Sequence, residues 1–182
     1  VTDDGMALTD RLQRPTGFRQ TLASGFLLAG TAITVGTALL FQYVGGYIPC
    51  ALCLQQRIPY YVAIPLALVA FVAAAGRAPA LLTRLLLLAI GVIMLVSLYL
   101  GVFHAGVEWG YWPGPTDCAQ VGGGDLGGGD LLSAIDAIRP PSCDEAAGRF
   151  LGLSFAGWNA IASALFAAVA LRSAVAKADR FA

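Results

Sequence analysis

Cys50 and Cys53 form a Cys-x-x-Cys pair at the edge of a hydrophobic segment, and Arg57 follows four residues after the second cysteine. Cysteines at this spacing can close a small disulfide, and a helix starting here would place Cys53 in its first turn, where the helix dipole stabilises a thiolate. On that helix Arg57 shares a face with Cys53 and adds a permanent positive charge beside its sulfur. The stretch predicts a redox centre, with half of a zinc site or a structural bridge as the alternatives.

Two more cysteines, Cys118 and Cys143, lie in a long polar stretch later in the chain. A glycine-rich connector over 122–130 follows Cys118 and is expected to give it mobility. Asp130 is a suitable N-cap for a short amphipathic helix through about residue 138, which would lie on the membrane or pack on the outer ends of the bundle. We therefore expect Cys118 and Cys143 at the two ends of a hinged arm.

The composition indicates an integral membrane protein, because 58% of the 182 residues are hydrophobic and only 12% are charged. The sequence predicts one domain over 1–182, an all-α bundle of four transmembrane helices at about 21–44, 58–75, 85–103 and 151–171. The first is expected to stay in the membrane rather than to be cleaved as a signal. Pro59 and Pro65 predict a kink in the second helix. Tyr60 and Tyr61 are expected in the interfacial aromatic belt, with the lining of a cavity beside Cys53 as the alternative.

The distribution of positive charge predicts the orientation in the membrane. Eight of the 11 Lys and Arg residues fall in the two tails and the 76–84 turn. The positive-inside rule then places both termini in the cytoplasm and the loops 45–57 and 104–150 outside, on the oxidising, periplasmic side of a bacterial inner membrane. The formal net charge of +0 gives no reason to expect a nucleic-acid partner.

With this topology the chain resembles the disulfide bond formation protein B family, DsbB, bacterial inner-membrane enzymes that reoxidise the periplasmic thiol oxidase DsbA using quinone. The resemblance covers nearly the whole chain, from the first span to the fourth. It is carried by Phe41-Gln42, by Pro49-Cys50-Ala51-Leu52-Cys53 with Arg57, by His104 ahead of residues 114–118, by Cys143-Asp144-Glu145, and by residues 150–154 before Trp158-Asn159.

The resemblance implies a membrane-proximal disulfide of Cys50 with Cys53 and a loop disulfide of Cys118 with Cys143. It also implies that Arg57 lies next to a quinone, ubiquinone or menaquinone. The implied activity is that of a thiol:quinone oxidoreductase with a DsbA-like periplasmic partner and no metal.

Two further residues lie at positions that the family pattern marks. His104 occupies the place of a histidine near the quinone site. Gln56 stands where some relatives have a glutamate, so no acid role is assigned to it.

Three other classes of protein compete with this interpretation. A vitamin K epoxide reductase-like enzyme also carries a membrane Cys-x-x-Cys, but there the motif usually lies late in the bundle, whereas here it precedes the second span. A zinc protein is disfavoured because Cys118 and Cys143 are not a second Cys-x-x-Cys and no histidine stands at finger-like spacing. A transporter is disfavoured because the spans lack buried charged residues, and a scaffold with purely structural disulfides is a further alternative.

Overall fold

The computed structural model describes residues 15–114, 143–144 and 146–176, together with Asp10 and Leu12. These ranges contain four long helices, α1 (Phe18–Tyr43), α2 (Ala51–Ala75), α3 (Ala80–Glu108) and α4 (Phe155–Val175), each long and apolar enough to cross a membrane. A short antiparallel pair, β1 (Arg149–Phe150) and β2 (Leu153–Ser154), leads into α4. The predicted bundle of four transmembrane helices is confirmed, and the helix predicted over 130–138 lies outside the described residues.

Several helix ends differ by four to seven residues from the sequence prediction, and two of these differences concern the site. Helix α2 begins at Ala51 rather than near residue 58, because Cys50 has extended backbone and its sulfur accepts a hydrogen bond from the Cys53 N–H at 3.3 Å. The helix continues through Pro59 and Pro65. Helix α3 continues to Glu108, so His104 lies on the helix and not in the loop predicted to begin there.

The bundle packs through small side chains. Ala63, Ala67 and Ala70 line one face of α2 and are fully buried. Where α3 meets α4 the backbones come so close that a Cβ added at Gly101 would lie 3.0 Å from the Ala160 nitrogen. Small residues permit this close approach of the helices. In a membrane the lipid is as apolar as the side chains, so the helices associate through the dispersion energy of close packing rather than through the hydrophobic effect. Larger apolar side chains such as Val92 face outward, as expected beside lipid.

A buried arginine ties the start of α3 to its neighbours. Arg84 is fully buried and donates hydrogen bonds to the carbonyl oxygens of Ala174, at 2.5 Å, and Pro15, at 3.1 Å. Because Ala174 lies in the last turn of α4, the guanidinium satisfies a carbonyl that the helix leaves without an intrahelical partner. The expectation that buried charge is lacking is therefore wrong at this end of the bundle, and the charge has a structural use there.

The antiparallel arrangement brings four helix ends together. The end of α1, the start of α2, the end of α3 and the start of α4 meet at one end of the bundle, and they carry Gln42, the Cys-x-x-Cys pair, His104 and Asn159 respectively. Residues more than 100 positions apart in sequence thereby become neighbours, as the hydrogen bond between Gln56 and Asn159 shows.

Candidate functional site

Cys50 and Cys53 are free thiols with their sulfurs 3.1 Å apart at the N-terminus of α2. Cys50 is buried and caps the helix, so its sulfur lies at the positive end of the helix dipole. The hydrogen bond from the Cys53 thiol does most to lower the pKa of Cys50 well below its usual range; burial opposes this and a hydrogen bond from His104 adds to it. The sequence predicted Cys53 in the first turn of a helix, and Cys53 lies there, while the N-cap sulfur of Cys50 lies at the same positive end of the dipole.

His104 and Glu108 approach the pair from the last turns of α3. The Nε2 atom of His104 lies 3.6 Å from the Cys50 sulfur and 3.7 Å from Oε1 of Glu108. The Glu108 side chain is only 4% exposed, and its Oε2 has no hydrogen-bond partner among the described residues. Sequence reasoning missed Glu108, although its position one helical turn after His104 was the available signal.

A chain of hydrogen bonds fixes the orientation of the His104 ring. Asn159 donates from Nδ2 to Oε1 of Gln56 at 2.6 Å, which turns the Gln56 amide nitrogen toward Nδ1 of His104 at 2.5 Å. Nδ1 then accepts a hydrogen bond, and Nε2 carries the ring proton toward the Cys50 sulfur. Gln56, to which the sequence assigned no role, therefore holds the imidazole in the tautomer that stabilises a thiolate at Cys50.

The same chain continues into the core through Tyr60. Its hydroxyl donates to Oδ1 of Asn159 at 2.6 Å and lies 2.9 Å from the Ser163 hydroxyl, which in turn donates to Ser97 at 2.8 Å. Tyr60 is only 2% exposed and lines the same cavity as Cys53, so the belt role is wrong for Tyr60 and the alternative, a place beside that cavity, is confirmed. These bonds join α2, α3 and α4 and hold the Asn159 amide in place, since a buried polar group needs its partners satisfied.

A cavity of about 370 Å³ lies on the other side of the cysteine pair. Cys53, Arg57 and Gln42 line it, and the Arg57 guanidinium donates from Nη1 to Oε1 of Gln42. Most of the remaining wall is apolar and comes from α1 and α4, including Ile33, Val35, Ala38, Phe41, Phe155 and Trp158. Arg57 and Cys53 line the cavity, whereas His104 is not among the described residues that line it. His104 instead lies next to the Cys50 sulfur.

The third described cysteine lies against the pair. Cys143 is 2% exposed and belongs to the same buried cluster as Cys50, Leu52 and Val107, with Cys53 packed at its edge. Cys143 is disulfide-bonded, whereas the Cys-x-x-Cys pair carries free thiols. Its predicted partner, Cys118, lies outside the described residues. The structure therefore brings three of the predicted site cysteines into one place.

Comparison with known proteins identifies the family. The chain is 28% identical over 95 residues to an uncharacterised protein, RP370, of Rickettsia prowazekii (strain Madrid E), and this match covers 52% of each chain. The chain thus spans about half the length of that relative. No solved structure matches the present chain significantly. The family model for disulfide bond formation protein DsbB matches residues 20–172, from α1 to α4, and includes the cysteine pair and the cavity. The chain belongs to the DsbB family, and it is a multi-pass membrane protein with four helices long and apolar enough to cross a bilayer.

Proposed function

We propose that this protein is a thiol:quinone oxidoreductase of the bacterial inner membrane. It reoxidises a DsbA-like periplasmic dithiol protein and passes the electrons through two cysteine pairs to ubiquinone or menaquinone in the membrane. The observation that carries the proposal is the cavity, because it joins the Cys53 sulfur and the Arg57 cation to an apolar space among α1, α2 and α4.

The residues around the cavity suit a quinone. Its volume of about 370 Å³ lies in the range of pockets that hold small ligands. The apolar side chains of Phe41 and Trp158 match a ring with a hydrocarbon tail, and Arg57 with Gln42 offers hydrogen-bond donors to a carbonyl oxygen. When bound, the quinone supplies the oxidising power by accepting two electrons and two protons.

The cysteines then act in sequence. The partner's thiolate attacks Cys118, forming a mixed disulfide and releasing Cys143 as a thiolate. Cys143 attacks Cys50 of the oxidised pair, which breaks the bond of Cys50 to Cys53 and leaves Cys53 as a thiolate beside Arg57. The burial of Cys143 against Cys50 supports this order. A second partner thiol then resolves the mixed disulfide and frees Cys118, which attacks Cys143 and releases Cys50 as a thiolate. Cys50 and Cys53 then form their disulfide again as two electrons pass from this pair to the quinone.

The orientation follows from the charge asymmetry. Both termini lie in the cytoplasm and the redox cysteines face the periplasm, because eight of the 11 Lys and Arg residues fall in the tails and the 76–84 turn. Quinone identification in a lipid extract of the purified protein distinguishes ubiquinone from menaquinone.

Narrowing the cavity tests the proposed quinone site. Ala162 lines the cavity, whereas Ala164, two positions later on α4, is exposed on the outer face. Ala162→Phe is expected to raise the KM for quinone by about tenfold, since an overpacked site costs about 1–3 kcal/mol. Ala164→Phe places the same ring against lipid and should leave quinone kinetics unchanged. Equal KM values for both variants and the wild type would place the quinone outside this cavity.

A further inference from the structure

Three potential metal ligands converge beside the start of α2, and the carboxylate of Glu108 lies next to one of them. The sulfurs of Cys50 and Cys53 and an imidazole nitrogen of His104 all lie within 4.8 Å of one another. The buried carboxylate of Glu108 reaches the same nitrogen and keeps one oxygen without a hydrogen-bond partner among the described residues. Two thiolates, an imidazole and a carboxylate are a donor set that zinc accepts.

Two of the ligand distances are close to those of a tetrahedral site. With ordinary zinc bond lengths, a tetrahedron separates sulfur from nitrogen by about 3.6 Å and nitrogen from oxygen by about 3.4 Å. The corresponding distances here are 3.6 Å from Cys50 Sγ to His104 Nε2 and 3.7 Å from that nitrogen to Glu108 Oε1. The sulfurs, 3.1 Å apart, must separate to about 3.8 Å. Cys53 has room for this rotation because it is only partly buried and borders the cavity.

We propose that the reduced protein binds a thiophilic divalent cation of the zinc type through Cys50, Cys53 and His104, with Glu108 as the fourth ligand. Binding displaces the two thiol protons and forms two metal–sulfur bonds without any change of oxidation state. The ligands then carry three negative charges against the two positive charges of the cation. The Arg57 cation, one turn after Cys53 on α2, balances the remaining negative charge. The oxidised pair offers no thiolate, so the site exists only in the reduced state.

The residues behind His104 accommodate this change. Metal binding at Nε2 moves the ring proton to Nδ1, which must then donate a hydrogen bond. Gln56 can accept that bond when its amide turns over together with that of Asn159, whose oxygen then accepts from Gln56 and whose nitrogen then donates to the Tyr60 hydroxyl. Gln56 is therefore the residue that orients the metal-bound imidazole.

A bound cation would hold the enzyme in its reduced form. Both sulfurs are engaged by the metal, so they cannot give their electrons to quinone and form the disulfide; this consequence rests on the proposed function. Zinc would act as a reversible inhibitor that a chelator removes. The binding itself is independent of quinone and of the thiol partner.

The test is cadmium titration of the full chain carrying Cys118→Ser and Cys143→Ser, in which Cys50 and Cys53 are the remaining thiols. Cadmium–thiolate absorbance reports bound sulfur directly, and zinc competition gives the zinc affinity. We expect one cadmium ion per reduced chain and none per oxidised chain. His104→Ala should weaken binding at least about 100-fold and Glu108→Gln about 10-fold, since even second-shell changes weaken metal sites by about 10- to 100-fold.

The matched control is Asp144→Asn, which removes an exposed carboxylate beside Cys143 but outside the ligand cluster and should leave the affinity unchanged. Equal cadmium affinity with and without His104, or equal binding by the oxidised chain, would overturn the proposal. Because the titration contains neither quinone nor partner, such a failure leaves the proposed oxidoreductase untouched. Conversely, tight redox-dependent binding by a protein that never reduces quinone would refute the enzyme and keep the metal site.

Discussion

Replacing Arg57 with alanine is expected to slow quinone reduction by about 10- to 100-fold while thiol exchange at Cys118 continues. The Arg57 cation favours a thiolate on Cys53 and stabilises the negative charge that develops on a quinone oxygen, and the side chain lines the same cavity as that sulfur. If the two effects together contribute about 1.4–2.7 kcal/mol, in line with charge-assisted contacts, their loss gives this range. The measurement is quinone reduction by reduced partner, with mixed-disulfide formation followed in parallel.

Two further variants make the Arg57 result specific. Arg57→Lys should restore activity only in part, because lysine keeps the charge but lacks the planar fork that reaches Gln42 and a carbonyl together. Arg149→Ala removes an exposed arginine from the same end of the bundle, outside the cavity, and should behave as wild type. If Arg57→Ala reduces quinone as fast as wild type, Arg57 is only an interfacial anchor and the quinone lies elsewhere.

Replacing Cys143 with serine is expected to stop turnover and to accumulate a mixed disulfide between Cys118 and the partner. The serine hydroxyl cannot attack Cys50, so the electrons have no route to the buried pair. Non-reducing electrophoresis of the variant mixed with reduced partner measures the trapped complex.

The paired variant Cys118→Ser gives the opposite result in the same assay. Without the attacked sulfur the partner should not become attached at Cys118, even though Cys143 is present. Normal turnover by Cys143→Ser would show that Cys143 is not the relay, despite its burial against Cys50.

Hydropathy predicted the four spans, because each helix must present about 20 apolar residues to lipid. Hydropathy could not predict where α2 begins or where α3 ends, because the hydrogen bonding of both helices continues beyond their apolar stretches. Helix α2 begins at Ala51, in the predicted loop 45–57, since a cysteine sulfur at the N-cap satisfies an N–H of the first turn. Helix α3 continues to Glu108 and thereby brings His104 and Glu108 onto one face.

The site was predictable where its residues share one helix. The spacing of Cys50, Cys53 and Arg57 indicated a redox centre with a cation beside it, and the structure places Arg57 and Cys53 at one cavity. Residues that meet from different helices have no regular spacing in the sequence that would reveal their contact. Gln42 of α1 and Asn159 of α4 reach the site from other helices. His104 does not stand at finger-like spacing from the cysteines in the sequence, but α3 brings it next to Cys50 in the fold.

The central claim is that electrons from a partner dithiol reach quinone through Cys53. The most direct measurement mixes purified protein, reduced DsbA-like partner and quinone under anaerobic conditions, and counts quinol formed against partner disulfide formed. The account predicts one quinol for each disulfide and no quinol in the Cys53→Ser variant. Partner oxidation without quinol, or quinol formation by Cys53→Ser at the wild-type rate, would contradict it.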